Sequence, residues 1–207
     1  MPAVTISSGY GAGGKVVAPR VAELLGVRLI DRAVSSEVAQ QLHVTVAEAE
    51  AGSANRSLVE RFFGALVPLT GAGGPPVDPG LADDAGQFRE QTEAILHAAA
   101  TEGCVILGRA GAAAFREVSD VLRVRLFGRR EARIKQAALI QQISEDEAER
   151  RQPETDGARE HYMRRLYHIE QDDPSLYHLQ LDSTVLPLET CAQVIVTAYR
   201  GLLADRR

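Results

Sequence analysis

Lysine is nearly absent from this 207-residue chain: of its 23 basic residues only Lys15 and Lys135 are lysines, and the rest are arginines. Tryptophan is missing, and methionine and cysteine occur twice each. Two cysteines in a chain of this length exclude a disulfide framework. Cys104 and Cys191 both fall inside apolar segments, where a thiol packs as a small hydrophobe and not as a metal ligand. No uninterrupted apolar run is long enough to span a bilayer, and no basic-then-apolar signal segment opens the chain, so no membrane partner is expected. Positive charge is not in excess either. The formal charge is −5, and without a clearly basic face nucleic acid is not an expected partner. What remains is a cytoplasmic enzyme or binding protein of ordinary composition, long enough to bury one full core.

Scarcity makes Lys15 conspicuous, because it closes the glycine-rich stretch Ser7-Ser8-Gly9-Tyr10-Gly11-Ala12-Gly13-Gly14-Lys15. Ala3 to Ile6 ahead of it reads as a β-branched strand. Behind it, Val17, Val21, Leu24 and Leu25 recur at helical spacing, and Gly26 supplies a stop. Strand, glycine loop and helix together aim backbone N–H groups and a helix N-terminus at an anion, usually a phosphate. Two fingerprints overlap here. Gly9, Gly14 and Lys15 fit Gly-x4-Gly-Lys, the phosphate loop, with Val16 where a Ser or Thr is expected. Gly9, Gly11 and Gly14 also fit Gly-x-Gly-x-x-Gly, the dinucleotide fingerprint, and Asp31 lies where a ribose-binding acid would sit. A ligand-free turn is the third reading.

Val27 to Ile30 is a second short strand ending in Asp31, and residues from Ser35 to about His43 continue as a helix. Between residues 46 and 85 the character shifts. Leu58, Phe62, Phe63 and Leu66 form an apolar stripe, and Pro68 through Pro79 is crowded with glycine and proline, which marks a loop or mobile insert. Phe88 to Ala100 is helical. The apolar run 103–107 reads as a strand covered on both faces, and it ends in Gly108-Arg109-Ala110-Gly111. Strand ends of an open parallel sheet are where ligands bind, so Arg109 is a phosphate-binding candidate. Val121 to Phe127 is a strand whose Arg123 and Arg125 share one side, expected to be a solvated or snorkelling face and not a ligand site.

Glu131 to Ile143 is helical, and Ser144-x-x-Glu147 has the form of a capping box. Arg150-Arg151 follows, then a break at Pro153 and a new helix carrying Asp156, Arg159 and Tyr162 on one side. Tyr177 to Leu181 reads as a fifth strand, and Pro187 opens the last helix. Five strands alternating with helices predict a three-layer α/β/α fold with a five-stranded parallel sheet. No second glycine fingerprint accompanies the arginine-rich second half. Phosphoryl transfer needs a loop lysine and arginines able to neutralise the moving charge, which this chain offers.

Several stretches, in order along the chain, resemble the cytidylate kinase-like family of P-loop nucleoside monophosphate kinases. They are Thr5 to Lys15, Leu25 to Arg32, Val105 to Gly111, Asp156-x-x-Arg159-x-x-Tyr162, and Ser175 to Ser183. The resemblance implies one P-loop kinase domain over 1–207 with a helical lid at 144–160 and an acceptor-binding insert at 46–85. It implies an ATP- and Mg2+-dependent transfer to a nucleoside monophosphate, CMP or dCMP, with small-molecule nucleotides as the partners. Gly9, Tyr10, Gly11, Ala12, Gly13, Gly14, Lys15 and Val16 would cradle the ATP phosphates. Asp31 and Arg109 would face the acceptor, and Arg150, Arg151 and Arg159 would join Lys15 and Asp31 in catalysis. The chain departs from the family pattern at Ser8-Gly9, where an Arg-Glu pair is common, and at Val16. It departs again at Gly108, which stands where an acid often follows the third strand. The metal ligands are left unassigned. The alternatives are a small-metabolite kinase of shikimate or gluconate type, a nucleotide-binding protein without catalysis, and a nicotinamide dinucleotide enzyme.

Overall fold

The computed structural model of the chain describes residues 3–31, 80–108 and 110–204. The expected helix from Ser35, most of the 46–85 insert and Arg109 lie outside them. The chain divides into two compact units, Met1–Asp31 with Ala98–Arg207, and Arg32–His97. Within the second, the described backbone is the helical stretch that opens at Gly80, in which Leu96 and Thr92 are buried.

The strands β1 (Ala3–Ser8), β2 (Arg28–Ile30), β3 (Cys104–Leu107), β4 (Val121–Phe127) and β5 (Leu179–Asp182) form one sheet in the order β2-β3-β1-β4-β5. Every described pairing is parallel, for example Val4 with Val105 and with Leu122. The helices are α1 (Gly14–Leu25), α2 (Gly80–Glu102), α3 (Gly111–Ala114), α4 (Arg130–Gln141), α5 (Glu145–Tyr167) and α6 (Leu188–Ala204). The period of two along β1 explains the layering. Val4 and Ile6 are buried in one cluster with Val17 and Val21 of α1 and Ile195 and Val196 of α6. Thr5, between them, lies beside Gly111 of α3, where an added Cβ would stand 3.1 Å away. Helices therefore cover both faces, the three-layer arrangement expected.

α1 stops where the sequence says, with Gly26 left-handed at φ 66°. Cys104 and Cys191 are buried and free. Burial pushes the Cys104 thiol up to about 11, so it stays protonated and inert. Among the described residues no helix is long and apolar enough to cross a membrane.

Two expectations are corrected. Arg123 and Arg125 do not form a solvated face. Arg123 is 7% exposed, and its guanidinium donates to the carbonyls of Leu176, Phe115 and Val118. Arg125 donates to Gln171 O and the Tyr177 hydroxyl and pairs with Asp172. α3 and the segment between α5 and β5 cover that face of the sheet and bring carbonyls that an arginine can satisfy. Nor does Pro153 break the chain: α5 runs through it from Glu145 to Tyr167.

Candidate functional site

In a parallel sheet all the strand ends open on one edge, and there the loop after β1 lies between its neighbours β3 and β4. Gly11 (φ 76°) and Gly13 (φ 74°) adopt left-handed backbone that other residues disfavour. Gly11 is doubly constrained, since an added Cβ would stand 2.0 Å from the carbonyl oxygen of Arg133. Gly13 is the N-cap of α1 and has no side chain to cap it.

The hydrogen bonding of the loop is asymmetric. Its carbonyls are engaged one after another. Ser8 O accepts from Arg159 Nη1 at 2.8 Å and Gly9 O from the Ala12 N–H at 3.0 Å. Tyr10 O accepts from Arg133 Nη1 at 2.7 Å and Gly11 O from Gln136 Nε2 at 2.9 Å. Ala12 O accepts from Ser183 Oγ at 2.8 Å, and Gly13 O from the N–H groups of Val16 and Val17. The N–H groups of Gly11, Gly13, Gly14 and Lys15, by contrast, have no acceptor among the described residues. Donors without acceptors at a helix N-terminus, beside an exposed lysine, form an anion cradle. This arrangement suits an anion such as a phosphate.

Tyr10 has another role than its loop neighbours. Its ring is buried with Ile134, Ala137, Ala138 and Ala148, and its N–H donates to Asp156 Oδ1 at 2.7 Å. The loop is thus tied to α4 and α5. Asp156 also accepts from Gln152 Nε2 and Arg133 Nη1, each at 2.8 Å, and lies 3.6 Å from Arg159. Burial disfavours its charged form. The Tyr10 N–H, the Gln152 amide and the Arg133 guanidinium outweigh that and hold the carboxyl below the usual carboxylate range. Arg130 extends the network by donating to Gln152 Oε1 at 3.1 Å.

The structure brings Lys15, Arg159 and the glycine loop to one place. Asp31 lies half-buried just past the end of β2, on the same edge of the sheet but with β3 between its strand and β1. Arg150 and Arg151 both pair with Glu147 on their own helix. Arg133, Gln136 and Ser183 hold carbonyls of the loop from outside and Asp156 holds its Tyr10 N–H; of the four only Asp156 and Ser183 lie in stretches marked in the sequence. Their signal in sequence is thin. Gln152, Asp156 and Arg159 recur at the i, i+4, i+7 spacing of one helix face, and Arg133 and Gln136 stand in the first turns after a strand end.

Val16 is 42% exposed and has no side-chain oxygen to offer a cation. No group of three or more His, Cys, Asp or Glu among the described residues could hold a metal ion. These residues do not fit Mg2+ held by the protein. An ion entering with nucleotide phosphates and keeping most of its water needs no such cage.

A model of the cytidylate kinase-like family matches residues 3–185. Among solved structures, an uncharacterized protein from Eubacterium ventriosum ATCC 27560 superposes with a TM-score of 0.67 at 14% identity, over 97% of this chain and 99% of that one. A gluconokinase from Sinorhizobium meliloti 1021 superposes with a TM-score of 0.53 at 15% identity, over 99% and 94%. At such identities the likeness is one of fold. None of the curated proteins compared with the chain matches it.

Proposed function

The chain belongs to the cytidylate kinase-like family, and from that premise we propose that it moves the γ-phosphoryl of ATP to a nucleoside monophosphate, CMP or dCMP. The observation that carries the proposal is the loop itself, with its carbonyls engaged outward and four N–H groups left for an anion. The N–H groups of Gly11, Gly13, Gly14 and Lys15 would hold the β- and γ-phosphates. The Lys15 ammonium, exposed at the start of α1, neutralises charge on the bridging region as ADP leaves. Arg159, half-exposed and already at the loop through Ser8 O, would turn its free N–H groups to the transferring phosphoryl. A phosphate oxygen of the acceptor forms the new bond to Pγ as the bond from Pγ to the β-bridging oxygen breaks. No net proton movement is required. Asp31 and Arg109 are the proposed acceptor contacts, and residues 46–85 the proposed acceptor insert.

An ADP-release assay over a panel of nucleoside monophosphates, shikimate and gluconate tests this. Turnover with CMP or dCMP is the expected result, and none with any pyrimidine monophosphate overturns the acceptor. Lys15→Ala should abolish turnover with an unchanged melting temperature, because this exposed side chain contributes charge and no packing. A second reading, binding without transfer, is favoured by the missing hydroxyl at Val16 and by Gly108, which stands where an acid often follows the third strand. ATP binding in calorimetry without ADP release for any acceptor would select it.

A further inference from the structure

We propose that Ser183 and Arg133 are positioning residues for anion binding, each holding the carbonyl end of a peptide plane whose N–H end faces the cradle. The peptide group is planar and trans, so anchoring its C=O on one side directs the N–H to the other. Ala12 O and the Gly13 N–H belong to one such plane, and Tyr10 O and the Gly11 N–H to another. Ser183 Oγ holds the first at 2.8 Å and Arg133 Nη1 the second at 2.7 Å. Ser183 is well placed to be rigid. It is 1% exposed, and its own N–H donates to Phe127 O at the end of β4. Its single hydroxyl proton goes to Ala12 O, with Phe127 O the longer contact at 3.2 Å. Arg133 is braced by Gly128 O and Asp156.

Gln136 provides the contrast. It holds Gly11 O, but the N–H of that same plane belongs to Ala12 and closes the turn onto Gly9 O. Gln136 therefore supports the loop without orienting a cradle donor. Because α5 reaches the same loop through Asp156 and Arg159, a merely structural defect would spread to either variant alike.

The proposal rests on the phosphate-binding reading of the loop, and it is tested with inorganic pyrophosphate, which needs no acceptor and no turnover. In calorimetry Ser183→Ala should weaken pyrophosphate binding about five- to tenfold, the effect of losing one oriented donor, whereas Gln136→Leu should stay within about twofold. Where turnover is measurable, Ser183→Ala should raise the KM for ATP and leave kcat nearly unchanged, as expected of a contact made equally in ground and transition states. If Ser183→Ala fails to fold, Ser183→Cys fills the same space with a weak donor and should fall between wild type and that loss. Equal losses in both variants, or none with Ser183→Ala, overturn the proposal while leaving the kinase reading standing. A wild-type protein that binds neither pyrophosphate nor ATP overturns both.

Discussion

Asp156 concentrates the electrostatics of the site in one side chain. Its carboxylate accepts from a loop N–H, from an amide and from a guanidinium, which together favour the charged form over burial. A carboxyl whose native pKa lies below its unfolded value stabilises the fold above the unfolded value, about 4. That stabilisation disappears as pH falls through the native pKa. Asp156→Asn should therefore lower stability at pH 7 by about 1–3 kcal/mol, since Arg133 loses its charged partner. The gap between variant and wild type should close as the pH drops below about 4. Denaturant unfolding at pH 7 and at pH 3 gives the comparison, and a gap that does not change with pH would contradict it. The sequence pointed to Asp156 only as a member of a helical motif, because a carboxylate on a helix usually pairs with a neighbour on its own helix. Beside Gln152 on its own helix, its partners Arg133 and the Tyr10 N–H come from elements 23 and 146 residues away in the chain.

At the scale of the element, α5 shows how tertiary contacts outweigh local preference. Ser144 caps it as its motif promised, accepting from the Glu147 N–H at 3.2 Å, and three acidic residues occupy its first turn. Pro153 removes one internal hydrogen bond, and a break there was the local expectation. The helix continues because residues on both sides of the proline are anchored to other elements. Gln152 is held by Arg130, and Asp156 by Arg133 and the loop. Pro153→Ala restores the missing donor and should stabilise the protein by about 1–3 kcal/mol, read as a rise in melting temperature. Unchanged or lower stability would show that the proline is compatible with the native helix at no cost. α1 runs through an internal proline as well, Pro19, while its apolar spacing and left-handed Gly26 agree on where it packs and where it stops.

Across the whole molecule the two ends of the sheet serve different purposes. The loop, Asp31 and the turn after β5 gather at the C-terminal ends of the strands. Arg123 lies toward the start of β4, where its buried guanidinium ties together the carbonyls of Phe115, Val118 and Leu176. Burial lowers its pKa, yet an arginine stays charged. Arg123→Met should cost about 2–4 kcal/mol through the acceptors it leaves unpaired, and should leave pyrophosphate affinity within about twofold of wild type. Weakened pyrophosphate binding at an unchanged melting temperature would contradict this division.

The alternation of strands and helices, the phosphate-directed loop and the ends of α1 were all written locally, in residue spacing and in glycine and capping chemistry. Hence the fold class and the place of Lys15 were legible in the sequence. The choice between the two overlapping fingerprints was not written in the loop itself: in sequence it leaned on the arginines of the second half, and in the fold it turns on which strand lies beside β1. The dinucleotide fingerprint needs its acid on the adjacent strand, as in the order 3-2-1-4-5-6. Here β3 is inserted between β1 and β2, which moves the strand of Asp31 about 10 Å from that of the loop, two inter-strand spacings. Strand order is a long-range property that no local spacing encodes. The same holds for Arg133, Gln136, Asp156 and Ser183, which the fold alone brings from three separate elements to the outer side of the loop.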